Sequence, residues 1–133
     1  MNDLVVSGKR KTSIAKATIK EGTGKVTINK RPIKFFPMLQ QLELQEPLEI
    51  AKELLGDLKF DIAVNVKSGG INSRIEASRL AIARAIVKFT KNDKLRLAFL
   101  AYDRNLIVAD VRRKEAYKPG DSKARANRQT SYR

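Results

Sequence analysis

Two residue types that carry much of enzyme and metal chemistry are missing from this chain: its 133 residues include no Cys and no His. Thiolate nucleophiles, disulfides, imidazole acid–base steps and zinc sites of the usual kind are thereby excluded together. Carboxylates remain. Between Met38 and Asp61 stand six acids (Glu43, Glu46, Glu49, Glu53, Asp57, Asp61) against two bases (Lys52, Lys59), a local net of −4. A magnesium-dependent phosphoryl enzyme would have to be built from this strip. On the outer face of helices the same acids serve solvation or protein contact, and that is the reading taken here. No catalysed reaction, small-molecule substrate or cofactor is expected.

Phosphate-binding loops fail on spacing. Gly22-Thr23-Gly24-Lys25 would need Gly where Ile19 stands and Ser or Thr where Val26 stands; Gly8-Lys9 has Asp3 and Arg10 in those places. Gly69-Gly70 ahead of a helix is a better phosphate candidate, because free backbone N–H groups and the helix dipole attract anions. A tight strand-to-helix turn explains the two glycines equally well. The run Ser7-Gly8-Lys9-Arg10-Lys11-Thr12-Ser13 gathers three cations between hydroxyl donors, and Arg112-Arg113-Lys114 is similar; both suit phosphate oxygens.

The whole chain has 28 Lys plus Arg against 14 Asp plus Glu, a net of +14. With −4 confined to the acidic strip, everything else carries +18. A polycation of this kind points to a polyanionic partner. The last 23 residues, Val111–Arg133, hold eight bases against Glu115 and Asp121, with few large apolar groups. They cannot build a core, so the expected organisation is a globular RNA-binding body over 1–111 and an extended basic tail over 112–133. Cations spaced along an extended tail can track phosphates, and Tyr132 offers a stacking ring.

The elements that must position these groups follow from periodicity. Ala15, Ala17 and Ile19 alternate with Lys16, Thr18 and Lys20, a half-buried strand with one basic face. Glu21–Gly24 turns the chain into a short strand at Val26 and Ile28, which reads as a hairpin. Pro37 and Pro47 each suit the first turn of a short helix, the second closed by Gly56. Leu58–Lys67 alternates cleanly and is a strand. Ser73-Arg74-Ile75-Glu76 matches a capping box, predicting a helix over 74–91 with Ile75, Ile82, Ile86 and Phe89 inward and Arg84, Lys88 and Lys91 outward. Asn92 caps a further helix through Leu100, and Leu106–Val111 reads as a last strand. The fold class is α/β in the two-layer α+β sense: one mixed sheet packed on helices. Apolar runs such as Leu106–Ala109 are far short of the roughly 20 residues that span a bilayer, and Met1–Arg10 does not read as a secretory signal. A cytoplasmic protein without membrane contact is expected.

Four stretches, in order, resemble the universal small-subunit ribosomal protein family S-nine: Gly8–Ala17; Gly24–Pro32; Phe60–Gly70 with Ala81–Ala85; and the ending Ser131-Tyr132-Arg133. The ending is similar to the archaeal and eukaryotic-cytoplasmic branch. The chain departs from the family pattern at Gly120–Arg125, where a Gly-rich stretch is usual, and at Val111, where Pro is common. The resemblance implies a body of the ribosomal S-five domain-two-like fold on the head of the small subunit, among neighbouring small-subunit ribosomal proteins. With rRNA as the polyanion, the basic clusters and faces read above become its expected contacts: Lys9, Arg10, Lys11 and Thr12; Lys16, Lys30 and Arg31; Lys67, Gly69 and Gly70; and Arg84 and Lys88. Along the tail they are Arg112, Arg113, Lys114, Lys118, Lys123, Arg125 and Arg128. By the resemblance, Ser131, Tyr132 and Arg133 would meet peptidyl-site tRNA. The rival binding class is a general nucleic-acid chaperone, which would hold DNA and RNA alike.

Overall fold

Strict alternation over Ser13–Lys20 and Phe60–Lys67 sets the middle of the sheet. In the computed structural model, which describes residues 3–117, the strands β1 (Leu4–Arg10), β2 (Ser13–Glu21), β3 (Val26–Ile28), β4 (Arg31–Pro32) and β5 (Phe60–Lys67) form one sheet in the order β1-β2-β5-β3-β4. Only the β5–β3 pairing is parallel. The helices are α1 (Met38–Leu55), α2 (Ile71–Thr90) and α3 (Asp93–Tyr102). Helix α2 lies across β1, β2 and β5, while α1 and α3 pack on α2. All three therefore cover the same face. No helix among the described residues is long and apolar enough to cross a membrane.

The covered face holds the core: Ala15, Ala17 and Ile19 from β2, and Phe60, Ile62, Val64 and Val66 from β5, against Ile75, Ile82 and Ile86 of α2. The opposite face carries the intervening polar residues and has no helix on it. Small side chains let the two layers approach closely. A Cβ on Gly8 of β1 would stand 2.6 Å from the Ala77 carbonyl oxygen and 2.8 Å from the Ala81 nitrogen, both backbone atoms of α2.

Several expectations are corrected. The residues Leu4–Arg10, for which the periodicity predicts no element, form β1, and the hairpin of the fold is β1–β2, closed at Lys11-Thr12. β3 is not its partner. β2 pairs instead with β5 over eight registered positions, and β3 lies on the far side of β5. Burial of the four inward β5 side chains, about 1.5–3 kcal/mol each, outweighs what a three-residue strand can offer. The proline-started helix pair is one helix, with Pro47 inside it. The loss of a hydrogen bond there, on the order of 3 kcal/mol, is offset because Pro47 sits in the buried stripe with Leu44, Leu48 and Ala51. Gly56 closes the helix as expected.

The capping box does not form. Helix α2 starts at Ile71, with Gly70 as N-cap and no side-chain cap, so Ser73 already lies in the first turn. Left-handed Ser68 and Gly69 bring the chain into the helix sooner than the pattern suggests. The expected Leu106–Val111 strand is a single 3-10 turn, Arg104–Leu106, followed by irregular chain. Asp103 accepts a bond from the Asn105 N–H at 2.9 Å, which sets that turn. Asn92 caps α3 as expected, accepting from the Lys94 N–H.

The failed phosphate loop has a structural use. Its Thr23 and Lys25 N–H groups donate to Asp61 at 2.8 and 2.9 Å, so a carboxylate from β5 occupies the turn where a phosphate would sit. The Lys25 N–H, with those of Thr23 and Gly24, holds the Asp61 carboxyl below its ordinary 3.8, against a smaller upward push from burial. A lowered carboxyl contributes stability above its unfolded pKa, and that contribution is lost as pH falls through the folded value. Asp61→Asn should therefore be less stable than the parent near neutral pH, with the gap closing as pH drops below about 4. Denaturant titrations from pH 6 to pH 2 measure this; a gap independent of pH would remove the carboxylate's role.

Candidate nucleic-acid interface

Because β3 runs parallel to β5, its C-terminal end emerges beside the C-terminal end of β5, and the β1–β2 turn reaches the same edge through the Ile14–Lys67 pairing. Three turns thus meet at one end of the sheet. The first carries Lys9, Arg10, Lys11 and Thr12. The second is Asn29-Lys30, both residues left-handed at φ 49° and 66°, followed by Arg31. The third is Lys67-Ser68-Gly69-Gly70 leading into α2.

Side chains tie these turns together. Ser13 Oγ donates to the Ser68 carbonyl at 2.9 Å. Asn29 accepts from the Val66 N–H at 2.9 Å and donates back to the Val66 carbonyl, so it extends the sheet by one rung and holds Lys30 at the tip. Gly69, at φ 75°, lies so close over Ser13 that an added Cβ would overlap the hydroxyl. Over Gly70 the space is open, and the first turn of α2 has no acidic residue and no side-chain cap. Its free N–H groups face outward with their partial positive charge intact.

Arg74, which the motif reading passed over as part of a capping box, belongs to this end. Its Nε donates to the Ser68 carbonyl at 3.2 Å, and it shares a groove with Arg31. Its only sequence signal was its position in the first turn after two glycines. Next to this rim the uncovered face shows Lys16 opposite Ser7 and Asn65, with Lys9 and Lys67 flanking Ile14. The sequence alone did not place Ser7 and Asn65 beside those lysines.

A family model described as Ribosomal protein S9/S16 matches residues 8–133. The chain belongs to this ribosomal protein family. A small ribosomal subunit protein uS9 of Methanococcus maripaludis is 48% identical over 129 residues, covering 95% of each chain. Proteins of the same name from Thermoplasma acidophilum and Thermoplasma volcanium are 47% and 43% identical, over 98% and 100% of this chain and all of theirs.

In this S9/S16 family member, not every predicted cation is free for a ligand. Arg10 is mostly buried; its Nε donates to Glu76 at 2.5 Å, and Nη1 stands 3.4 Å from Asp110. Arg112 is exposed but grips Asp110 through two nitrogens, and these bonds hold the Asp110 carboxyl well below the usual carboxylate range. Arg113 donates to the carbonyls of Asp110 and Arg112, and Lys114 sits 4.5 Å over the Tyr117 ring. Arg84 Nε donates to the Ile107 carbonyl at 2.8 Å and Nη1 to the Ser7 carbonyl at 3.1 Å. Arg84 and exposed Lys88 lie farther along α2, apart from the rim. Lys118, Lys123, Arg125, Arg128, Ser131, Tyr132 and Arg133 lie outside the described residues.

The acids follow a different pattern. Arg79 of α2 bridges Glu46 of α1 and Asp103 at the end of α3, a knot that locks the three helices. Among the described residues, no group of three or more His, Cys, Asp or Glu side chains could hold a metal ion.

Proposed function

We propose that this chain is a structural constituent of the small ribosomal subunit, bound to rRNA of the head by the rim of three turns and the adjoining sheet face. The observation that carries this is the convergence of Lys9, Lys11, Lys30, Arg31, Lys67 and Arg74 with the uncapped start of α2 at one end of an uncovered sheet. The mechanism is counterion release: lysines and arginines replace salt around packed phosphates and stabilise the folded RNA. Protruding turns fit irregular RNA, whose phosphates approach from several directions, better than a uniform duplex groove.

The internal bonds of Arg10, Arg84 and Arg112 anchor the start of the C-terminal segment, which leaves the body near the rim. Residues 112–133 then form a second, extended binding part, with Ser131, Tyr132 and Arg133 at peptidyl-site tRNA. Arg suits that tip because its planar fork bonds two phosphate oxygens and stays charged.

The test is affinity for a head rRNA fragment and for duplex DNA of equal charge, across a salt series, for the full chain and for chains lacking 131–133 or 118–133. The RNA complex should survive salt that strips the DNA. Loss of the tripeptide should leave rRNA affinity nearly unchanged and weaken tRNA binding. Loss of residues 118–133 should weaken RNA association while cooperative unfolding persists. Equal affinities and equal salt slopes on RNA and DNA would return the chain to the generic polycations.

A further inference from the structure

We infer that the outward face of α1 is the docking surface for a basic segment of a second protein. This rests on the ribosomal reading above and assigns the acidic strip a partner.

Four large apolar side chains at the start of α1 are left uncovered by the described residues: Phe35 is 73% exposed, Met38 and Leu39 76% each, and Leu42 50%. Single exposed apolar residues are ordinary, whereas a contiguous group rimmed by charge marks an interaction site. The junction that presents them is fixed, because Gln41 Nε2 donates to the Lys34 and Phe36 carbonyls and fastens the 3-10 turn Ile33–Phe35 to the helix. Helix α1 buries Leu44, Pro47, Leu48 and Ala51. At about 100° per residue, Met38, Leu42, Glu49 and Glu53 fall on the opposite side. The outward face therefore runs from apolar to acidic along its length.

The charge selects the occupant. Helix α1 carries Glu43, Glu49 and Glu53 against Lys52, with Glu46 already paired to Arg79, so RNA phosphates are repelled from it. A second copy of this chain would set like charges against each other. The chain's own Lys118–Arg133 is basic, but Tyr132 is its single large side chain with an apolar body, too little to cover four exposed apolar groups. A segment with aliphatic or aromatic anchors at one end and Lys or Arg at the other matches both halves. From Met38 to Glu53 the face is about 22 Å long, which a partner helix of four turns or a strand of about seven residues would cover. Among the described residues Glu49 pairs with the exposed Lys52, 3.1 Å away, a weak surface pair readily exchanged for a partner's cation.

The experiment places a photoreactive phenylalanine analogue at position 38 or 42 of the full chain within assembled small subunits. Cross-links should fall on another subunit protein, in a segment that carries both cations and an apolar anchor. Cross-links to rRNA, to residues 118–133, to a second copy, or to nothing would overturn the inference. As a companion, Met38→Glu with Leu42→Glu should leave unfolding and head-rRNA affinity unchanged while lowering retention of the cross-linked protein about tenfold. Unchanged retention would also overturn it. Loss of rRNA affinity in the unmodified chain would instead be a failure of the ribosomal reading.

Discussion

Gly8→Ala should lower the stability of the body by about 3 kcal/mol, or roughly 10 °C in Tm, although it adds one methyl group. The added carbon would stand 2.6 and 2.8 Å from backbone atoms of α2, and a helix backbone cannot rotate aside as a side-chain tip can. Either β1 lifts from α2, exposing Val6, or the helix shifts and disturbs its contacts with β2 and β5. The matched control is Gly70→Ala. That position has φ −82° and nothing within 4 Å, so the change should cost no more than the loss of a Gly N-cap to Ala, about 1 kcal/mol. Thermal and denaturant unfolding of both variants decide the matter. Equal, small effects would mean that the close approach of β1 and α2 contributes no strain when filled.

Replacing Lys9, Lys11, Lys30 and Lys67 together by Ala should reduce affinity for the head rRNA fragment about 10²- to 10³-fold near 0.15 M salt. The slope of log K against log salt should become shallower by about 3 to 4, since each lost phosphate contact removes about 0.9. All four side chains are exposed, so the thermal transition should move little. Lys20, Lys52, Lys59 and Lys91, spread away from the rim, supply the comparison: the same number of charges removed there should cost well under a tenth of that loss. If both sets weaken binding equally, the charge acts as a diffuse cloud and the convergence of the turns has no binding role.

Local patterns in the chain were sufficient for some of this architecture. The β2 and β5 alternations, the inward stripe of α2, the Asn92 cap and the Gly56 stop were legible because each is written within a few residues and enforced by burial or by a backbone bond nearby. Strand β1 was not, since its inward positions run from Leu4 and Val6 to a Gly and an Arg, and its cations mask so short an apolar pattern. The partner of β2 was not legible either. That choice is a competition between distant segments, won by the eight-residue β5.

The site shows the same division. The residue types that suit phosphate could be named from the chain, as could the two-glycine turn. Their convergence could not, because Lys30 meets Lys67 only through the parallel β3–β5 pairing and the Asn29 rung. Nor could the diversion of Arg10, Arg84 and Arg112 into internal bonds, since a cation's pattern in sequence does not reveal which acid or carbonyl will face it.

Arg84 carries one more consequence. Strand β1 ends the sheet, so its outer side offers backbone groups to any strand that passes, including that of another copy. By donating to the Ser7 carbonyl, Arg84 occupies part of that ladder, and by holding the Ile107 carbonyl it keeps irregular chain beside the strand. A molecule outside any assembly is in this way protected against edge-to-edge polymerisation. The guard is a charged side chain, which keeps the margin of the sheet soluble where a longer strand would have made it adhesive.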